Sequence, residues 1–452
     1  GNVLRPKSQA KEGAQHVSLQ PSPSPDRRWP AMEAGVGTQS VISSSLLMMS
    51  AGIGTGVLVL PRAMADVGIV PMLGLLLVGC LLSAFTTWIL FCAVARCRAG
   101  GLEVLLTPKG SCIVPGRDPS AARSDDGCWP SYAQLLRMVT PRWVSTLLDA
   151  MLVLYAEGAI MTYFLFVADF LNKLSSWSTR VDEHSTVALM ACAVFVLSLS
   201  PSVGGLARLS FVGLAALSFM AVGIWVRAPE LSAQRAAPLA AVKSLEAMPA
   251  VLCIGVYAFM WHTNCATVAR ELRDPTPKRC FMVAISSTSL LYCVYALIAF
   301  GGYLSWGDDL VWSKSVVAMY DEADPLFASI RLMLVAALVI STAINMYPLR
   351  ESCVGLVRAL TGLGGGGGGW SHALWGAAIV GVAAVLAVKF QDVVELVTLL
   401  GGTLATCMML VFPSIIARMV LPPREWRLAM AVTFAFAALL LLAAVGLIGQ
   451  PA

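Results

Sequence analysis

Long apolar runs alternate with short polar segments from about residue 40 to the end of the chain. A helix needs about 20 mainly apolar residues to cross the hydrocarbon core of a bilayer, and these runs are of that length or somewhat longer. The pattern therefore predicts an all-α polytopic membrane protein. The eleven predicted spans are 41–63, 70–95, 143–171, 185–203, 207–227, 246–269, 281–304, 325–348, 372–389, 392–417 and 426–448.

The first 38 residues differ from the rest, because they contain "QPSPSPDRRWP" and almost no apolar run. A segment rich in proline and serine cannot bury enough apolar surface to fold. We predict that residues 1–38 form a disordered tail and that residues 39–452 form one eleven-span domain. In the loop before the third span, "SYAQLLRMV" predicts a short amphipathic helix on the membrane surface.

Composition makes the lipid bilayer the main expected partner. The 452-residue chain is 58% hydrophobic and 13% charged, whereas soluble proteins carry about 25% charged residues. No nucleic acid is expected despite the net charge of +5, because the basic residues are spread between the apolar runs. Most of the 31 lysines and arginines lie on the inside if the N-terminus is cytoplasmic, which predicts that orientation and a C-terminus on the opposite side.

Cofactor and nucleotide motifs are not evident in the sequence. The 12 cysteines show no disulfide framework. Cys97, Cys112 and Cys128 share one loop, where a zinc site and free thiols both stay open as interpretations. The run "GGGGGG" at 364–369 lacks the Lys-Ser/Thr of a phosphate-binding loop and indicates a flexible linker. We expect no cofactor.

Glycines interrupt the first span in "SAGIGTGVLVLP", which starts at Ser50. Gly52 and Gly56 have the four-residue spacing that lets two membrane helices pack closely. Three glycines within five residues also indicate a broken helix, because each costs about 1 kcal/mol relative to alanine. A break at membrane depth is tolerated where it lines a cavity. The glycines alone leave both interpretations open.

A second interruption in "CIGVYAFMWHTNCATVAREL" favours the broken helix. It begins at Gly255 and continues through His262, about 200 residues after the first interruption. This distance fits two five-span repeats that each begin with a broken helix, a design found in transporters. We place the repeats at about 40–228 and 245–418, with an extra span at about 426–448. His262 is either a satisfied core histidine or part of a site.

Several motifs in order resemble the amino acid/auxin permease family. They are "GIGTGVLVLPRAMADVG", "YAFMWHTNCATVARELRDPTPKR", "LIAFGGYLSWGDD", "NMYPLRES" and "TLLGGTLATCMMLVFPSI". The sequence is similar to sodium-coupled neutral amino-acid transporters and related eukaryotic permeases. The resemblance implies a LeuT-like fold, with a 5+5 inverted repeat and an eleventh helix. It also implies amino-acid transport, often driven by sodium or protons.

By the same resemblance, the substrate lies between the two interruptions. The implied contacts are Gly52, Ile53, Gly54, Thr55, Gly56, Tyr257, Ala258, Phe259, Trp261 and His262. The implied sodium site consists of Ser50, Ser341 and Thr342. Ser50 replaces an asparagine of the family pattern, which weakens the case for sodium, and Ser341 is equally explained by a hydrogen bond to its own helix.

Glu157 lies near the middle of the third span, in "VLYAEGAIMTYF". A carboxylate there costs roughly 2.5–3.5 kcal/mol on insertion scales, which indicates a functional role. We expect it to carry a proton, to contact a neutral or cationic amino acid, or to pair with a buried base, with Arg331 as the candidate.

The sequence therefore predicts a secondary active transporter of neutral or cationic amino acids that works by alternating access. Sodium or a proton would be the coupling ion, and no ATP motif is present. The alternatives are an amino-acid sensor that signals through its tail and, less favoured, a membrane enzyme, for which the four histidines are too scattered. The host membrane is predicted to be the plasma membrane or a vacuolar or lysosomal membrane, and the oligomeric state stays open.

Overall fold

A computed structural model describes residues 37–98, 130–174, 183–199, 211–235, 237–361, 369–390 and 392–448. The predicted disordered tail falls almost entirely outside these residues. Cys112, Cys128 and most of the glycine run also lie outside them, so the predicted zinc site and linker stay predictions.

Helices account for nearly all of the described structure, and one isolated β-bridge pairs Gln39 with Leu272. The α-helices are α1 (Val41–Gly52), α2 (Gly56–Val67), α3 (Ile69–Arg98), α4 (Tyr132–Arg137), α5 (Arg142–Leu174), α6 (Glu183–Ser198), α7 (Phe211–Gln234), α8 (Met248–Ala258), α9 (His262–Glu271), α10 (Pro277–Trp306), α11 (Pro325–Thr361), α12 (Gly369–Lys389), α13 (Val393–Leu400), α14 (Phe412–Ile416) and α15 (Pro423–Ile448). Two π-helical segments, Gly401–Ala405 and Cys407–Val411, connect α13 to α14.

The described helices account for nine of the eleven predicted spans by length and apolar composition, and the count of eleven stays a prediction. Eight spans are long and apolar enough to cross a membrane, and α1 and α2 together form a ninth that is bent by 71°. Two shorter apolar helices, within α6 and α12, lie where the fourth and ninth spans were predicted. The first span is thus α1 with α2, the third is α5, the sixth is α8 with α9, the eighth is α11, and the tenth runs from α13 to α14. The orientation in the membrane stays a prediction.

Local chemistry explains where several spans begin and end. The Ser40 hydroxyl accepts a hydrogen bond from the Ser43 amide at 3.1 Å and caps α1, and Asp392 caps α13 in the same way. Gly68 ends α2 with φ of +91°, a conformation that favours glycine. A Cβ at Gly68 would also lie 2.9 Å from Cα of Val242.

The third and eighth spans lie along each other over much of their length, and α8 packs against α2, α3 and α13. Side chains between these spans are buried, whereas Leu154 of the third span is 61% exposed and Leu442 of the last span is 71% exposed. Apolar side chains on such outer faces suit contact with lipid. The buried interior therefore lies among the first, third, sixth and eighth spans.

The predicted short helix near residue 131 forms as α4. Ser131 and Gln134 make a capping box, and Tyr132, Leu135 and Leu136 are buried. The Tyr132 hydroxyl donates to the Met408 carbonyl at 2.6 Å. The apolar face of α4 thus packs against the third and tenth spans, and its position at the membrane surface stays a prediction.

One ion pair links the fifth span to the start of the eighth span. The guanidinium of Arg227 donates two hydrogen bonds to the carboxylate of Asp324, at 2.9 and 3.1 Å. This interaction holds the pKa of Asp324 below its usual value. Asp324 lies just before α11 and also accepts a hydrogen bond from the Leu326 amide.

Candidate functional site

The first span is broken between α1 and α2. Ile53 has extended backbone angles, and the helix resumes at Gly56 after Gly54 and Thr55. The side chain of Thr55 does not cap α2. The first amide groups of α2 consequently lack the side-chain acceptor that a helix start commonly has.

The sixth span is interrupted by Phe259, Met260 and Trp261, between α8 and α9. The prediction that the break begins at Gly255 was wrong, because Gly255 lies inside α8 and its carbonyl accepts a hydrogen bond from the Phe259 amide at 3.1 Å. One glycine costs only about 1 kcal/mol in a helix, which the burial of its neighbours can offset. Among the described spans, the first is sharply bent at its break, by 71°, whereas the sixth is not.

Both interpretations of the first-span glycines are correct, but for different residues. A Cβ at Gly52 would overlap the Trp261 ring, and a Cβ at Gly56 would lie 2.9 Å from Cα of Ala258. These two glycines therefore allow the broken spans to pack closely. Gly54 is in the break itself, where a Cβ would lie 3.3 Å from the hydroxyl of Tyr163.

A cavity of about 50 Å³ lies between the first, third, sixth and eighth spans. Since a water molecule needs roughly 10–15 Å³ by this measure, the space holds several water-sized groups. Its wall consists of Ala51, Gly52, Gly54, Leu152, Tyr155, Ala156, Ala159, Tyr163, Tyr257, Met260, Thr263, Asn264, Asn345, Pro348 and Leu349.

The wall combines apolar residues with polar side chains that carry no charge, as far as the described residues show. Three tyrosines, two asparagines and one threonine supply its polar side-chain groups. Asn345 donates a hydrogen bond to the Tyr163 hydroxyl at 3.5 Å, which links the third and eighth spans across the wall.

Two helix ends of opposite polarity meet at this cavity. Ala51 and Gly52 are the last residues of α1, the carbonyl end of that helix. Thr263 and Asn264 are in the first turn of α9, whose start at Trp261 has no side-chain cap. A helix C-terminus attracts a cation and a helix N-terminus attracts an anion.

The candidates predicted by resemblance are only partly in the wall. Gly52, Gly54 and Tyr257 line it. Thr55 lies behind Tyr257, at 3.2 Å between their hydroxyl oxygens. Ile53 points elsewhere, because its side chain faces Gly213 of the fifth span.

The remaining sixth-span candidates face the second and seventh spans. The carbonyl of Ala258 accepts from the Tyr295 hydroxyl at 3.2 Å, and the carbonyl of Phe259 accepts from the Ser83 hydroxyl at 3.1 Å. The indole of Trp261 donates to Thr87 at 2.8 Å, and Nε2 of His262 lies 2.8 Å from Oγ1 of Thr86. These partners fix the shape of the break. Nδ1 of His262 is buried without a hydrogen-bond partner among the described residues, so both interpretations of this histidine stay open.

Glu157 is absent from the cavity wall, although Tyr155, Ala156 and Ala159 of the same helix form part of it. Its Oε2 atom is buried without a hydrogen-bond partner among the described residues. Its functional role stays a prediction.

Arg331 was predicted as a partner of Glu157, and that prediction was wrong. Its guanidinium is fully buried and donates instead to the backbone carbonyls of Val317, Tyr320 and Asp321. A buried guanidinium needs acceptors, and the loop before the eighth span supplies them.

The predicted sodium ligands lie on helices that share little interface. α1, which carries Ser50, packs mainly against α7, α9 and α10 rather than against α11. On α11, the hydroxyl of Thr342 donates to the carbonyl of Leu338 in its own helix at 2.7 Å. This is the type of hydrogen bond that the sequence analysis considered for the neighbouring Ser341. The sodium site stays a prediction.

Sequence reasoning missed the residues by which the third and eighth spans line the cavity. Leu152, Tyr155, Ala156, Ala159 and Tyr163 line the cavity at helical spacings of three and four residues. That spacing was available in the sequence. It could not be used, because the third span is apolar on most sides and the pattern did not indicate which face points inward.

Comparisons with known proteins agree with the motifs. Residues 120–450 match the family described as "Transmembrane amino acid transporter protein". The chain is 28% identical over 327 residues to a Toxoplasma gondii protein named amino acid transporter AAT1, a match that covers 71% of this chain and 41% of that protein. The chain thus spans less than half the length of this relative. It is 23% identical over 341 residues to vacuolar amino acid transporter 5 of Schizosaccharomyces pombe, covering 72% and 71% of the two chains.

Among solved structures, a manganese transporter of Eremococcus coleocola, in complex with an aromatic bis-isothiourea substituted compound, shares the fold. The TM-score is 0.60 at 13% identity, and the match covers 95% of this chain and 93% of that chain. A mutant of the same transporter gives a TM-score of 0.57. At this identity the likeness shows the fold alone, which is LeuT-like.

The relatives named here are transporters rather than enzymes, in agreement with the sequence-based expectation. The family match covers well over half of the chain. The chain therefore belongs to the transmembrane amino acid transporter family, the amino acid/auxin permease family that its motifs resemble.

Proposed function

We propose that this protein is a secondary active transporter that moves amino acids across a membrane by alternating access. The observation that carries the proposal is the meeting of two helix ends of opposite polarity at one cavity. An amino acid has a positive amino group and a negative carboxylate on the same carbon. The C-terminal carbonyls of α1 suit the amino group, and the N-terminus of α9, with Thr263 and Asn264, suits the carboxylate.

The cavity wall favours neutral amino acids over cationic ones. A charged substrate side chain in a dry site needs a charged or strongly hydrogen-bonding partner. The wall offers no carboxylate among the described residues, and Glu157 lies outside it. Cationic substrates, which the sequence left open, would need Glu157 to turn into the cavity.

The coupling ion in this proposal is sodium or a proton. One positive charge that falls through about 100 mV releases roughly 2.3 kcal/mol, enough for about fifty-fold accumulation. Glu157 favours a proton as the coupling ion, because its Oε2 atom is buried without a hydrogen-bond partner in the described structure. Ser50, Ser341 and Thr342 are the sodium candidates.

A vacuolar membrane is our preferred location, since one relative is named a vacuolar amino acid transporter. The sensor alternative gains no support from the relatives, which are named as transporters. A sensor would bind an amino acid without sustained flux.

Uptake into proteoliposomes tests this proposal. Radiolabelled neutral, cationic and acidic amino acids would be offered with sodium and proton gradients imposed separately. We expect concentrative uptake of at least one neutral amino acid under one gradient and poor uptake of acidic ones. Saturable binding without flux would identify a sensor, and the absence of both binding and flux for all amino acids would contradict the proposal.

A further inference from the structure

Three buried hydroxyl groups form a cluster directly behind the cavity wall. Oγ1 of Thr55 lies 2.7 Å from Oγ1 of Thr162. The hydroxyl of Tyr257 lies 3.2 Å from each of them. Both threonines are completely buried and the tyrosine is 5% exposed, so water does not compete for these hydrogen bonds.

Each member of the cluster comes from a different part of the site. Thr55 is the last residue of the first break, Thr162 belongs to the third span, and Tyr257 is in the last turn of α8, next to the second break. The cluster therefore attaches both broken spans to one continuous helix. Thr162 itself is not part of the cavity wall.

The hydroxyl of Thr162 has a further partner in its own helix, the carbonyl of Ala159 at 2.8 Å. A carbonyl oxygen only accepts, and a hydroxyl has one proton, so when Thr162 donates to Ala159 it accepts from the other members of the cluster. Thr55 then donates to Thr162, and Tyr257 donates to one of the two threonines.

This arrangement decides how Tyr257 contributes to the cavity. Its hydroxyl is engaged with the threonines, so the part offered to a substrate is the ring. The ring lies in the wall with its centre 5.9 Å from that of Tyr155. The position of this aromatic surface, and of the turn at Thr55, depends on the acceptor that Thr162 provides.

We propose that Thr162 is a positioning residue that sets substrate affinity without touching the substrate. It acts through Tyr257 and Thr55, which it holds at the edge of the cavity. This inference rests on the proposed function, because affinity is measured on the transported amino acid.

The test compares Thr162→Val with Thr162→Ser in proteoliposome uptake. Valine has nearly the same shape but accepts no hydrogen bond, whereas serine keeps the hydroxyl. We expect Thr162→Val to raise KM about tenfold, because the cluster loses the acceptor that Thr162 provides, and Thr162→Ser to stay near the wild-type KM. Thr406→Val is the matched control. Thr406 is also fully buried, and its hydroxyl donates to the Gly401 carbonyl in its own span.

An unchanged KM for Thr162→Val, or an equal increase for the serine variant, would overturn the inference. A merely structural role would lower thermal stability and the amount of active protein but leave KM unchanged. A second measurement does not need transport. The losses of thermal stability in Thr162→Val and Tyr257→Phe should be clearly non-additive in the double variant. If the wild type neither binds nor transports any amino acid, the proposed function fails, and additive losses in this cycle would then overturn the positioning role as well.

Discussion

The two broken spans are both interrupted inside the protein, but the residues at the two breaks differ in size. The first uses three glycines and bends by 71°, whereas the sixth carries large side chains at its break and lacks such a bend. The two are complementary, since Gly52 receives the ring of Trp261 and Gly56 receives the backbone at Ala258. The comparison teaches that the roles of Gly52 and Gly56 are decided by the residues opposite them in the other broken span, whereas Gly54 faces Tyr163 of the third span.

The largest effects are expected where the two breaks touch. Gly52→Ala would place a methyl group into the buried Trp261 ring, and Gly56→Ala would press against the backbone of α8. Overpacking of this kind costs about 1–3 kcal/mol. Thermal unfolding in detergent should show a clear loss of stability for both variants. Gly74→Ala is the control, because no neighbouring atom lies within 4 Å of its added Cβ. Equal stability of all three variants would contradict the complementary packing.

Gly54 should separate transport from stability. Gly54→Leu would direct its side chain towards Tyr163 and the cavity, not into the packed interface. We expect near-complete loss of uptake with a smaller loss of thermal stability than at Gly52 or Gly56. Uptake at the wild-type level would show that the first break does not face the substrate.

A smaller effect of opposite sign is expected at Gly255. This glycine lies inside α8, and an added Cβ would meet no atom within 4 Å. Gly255→Ala should therefore stabilise the protein by about 0.5–1 kcal/mol and leave uptake intact. A loss of stability or transport would contradict the helical position of Gly255 and support a break at this residue, as the sequence predicted.

The smallest effect on stability is expected at the ion pair between Arg227 and Asp324, which belongs to neither break. Arg227 lowers the pKa of Asp324, so the stability from this pair is present above the unfolded pKa, near 3.8, and is lost as the pH falls through the lower folded value. Asp324→Asn should lower the Tm slightly at pH 7 and remove this part of the acid sensitivity. A change in the KM for uptake would show that the loop before the eighth span is coupled to the cavity.

The all-helical membrane architecture and the existence of two breaks could be predicted, because apolar length and glycine spacing are local properties of the sequence. The position of the second break could not, since Gly255 remains helical while Phe259 to Trp261, which contain no glycine, do not. Their backbone and side chains are held by Ser83 and Thr87 of the second span, contacts that no local pattern indicates.

Apart from Glu157, the predicted substrate contacts all came from the broken spans, and about half of the cavity wall was therefore missed. Tyr163 and Asn345 meet across the wall although they are far apart in the chain. Glu157 was predicted to be functional because burying a carboxylate at membrane depth costs free energy. That cost does not indicate whether the side chain points towards the cavity. The face that a helix presents to the cavity depends on how the other spans pack around it.

The central claim is that the cavity between the two broken spans holds the transported amino acid. The most direct measurement compares uptake and binding in Ala156→Trp, which fills the cavity from the third span, with Leu154→Trp on the lipid-facing side of the same helix. Both variants should fold. We expect Ala156→Trp to lose binding and uptake while Leu154→Trp keeps both. Equal transport by the two variants would contradict the claim.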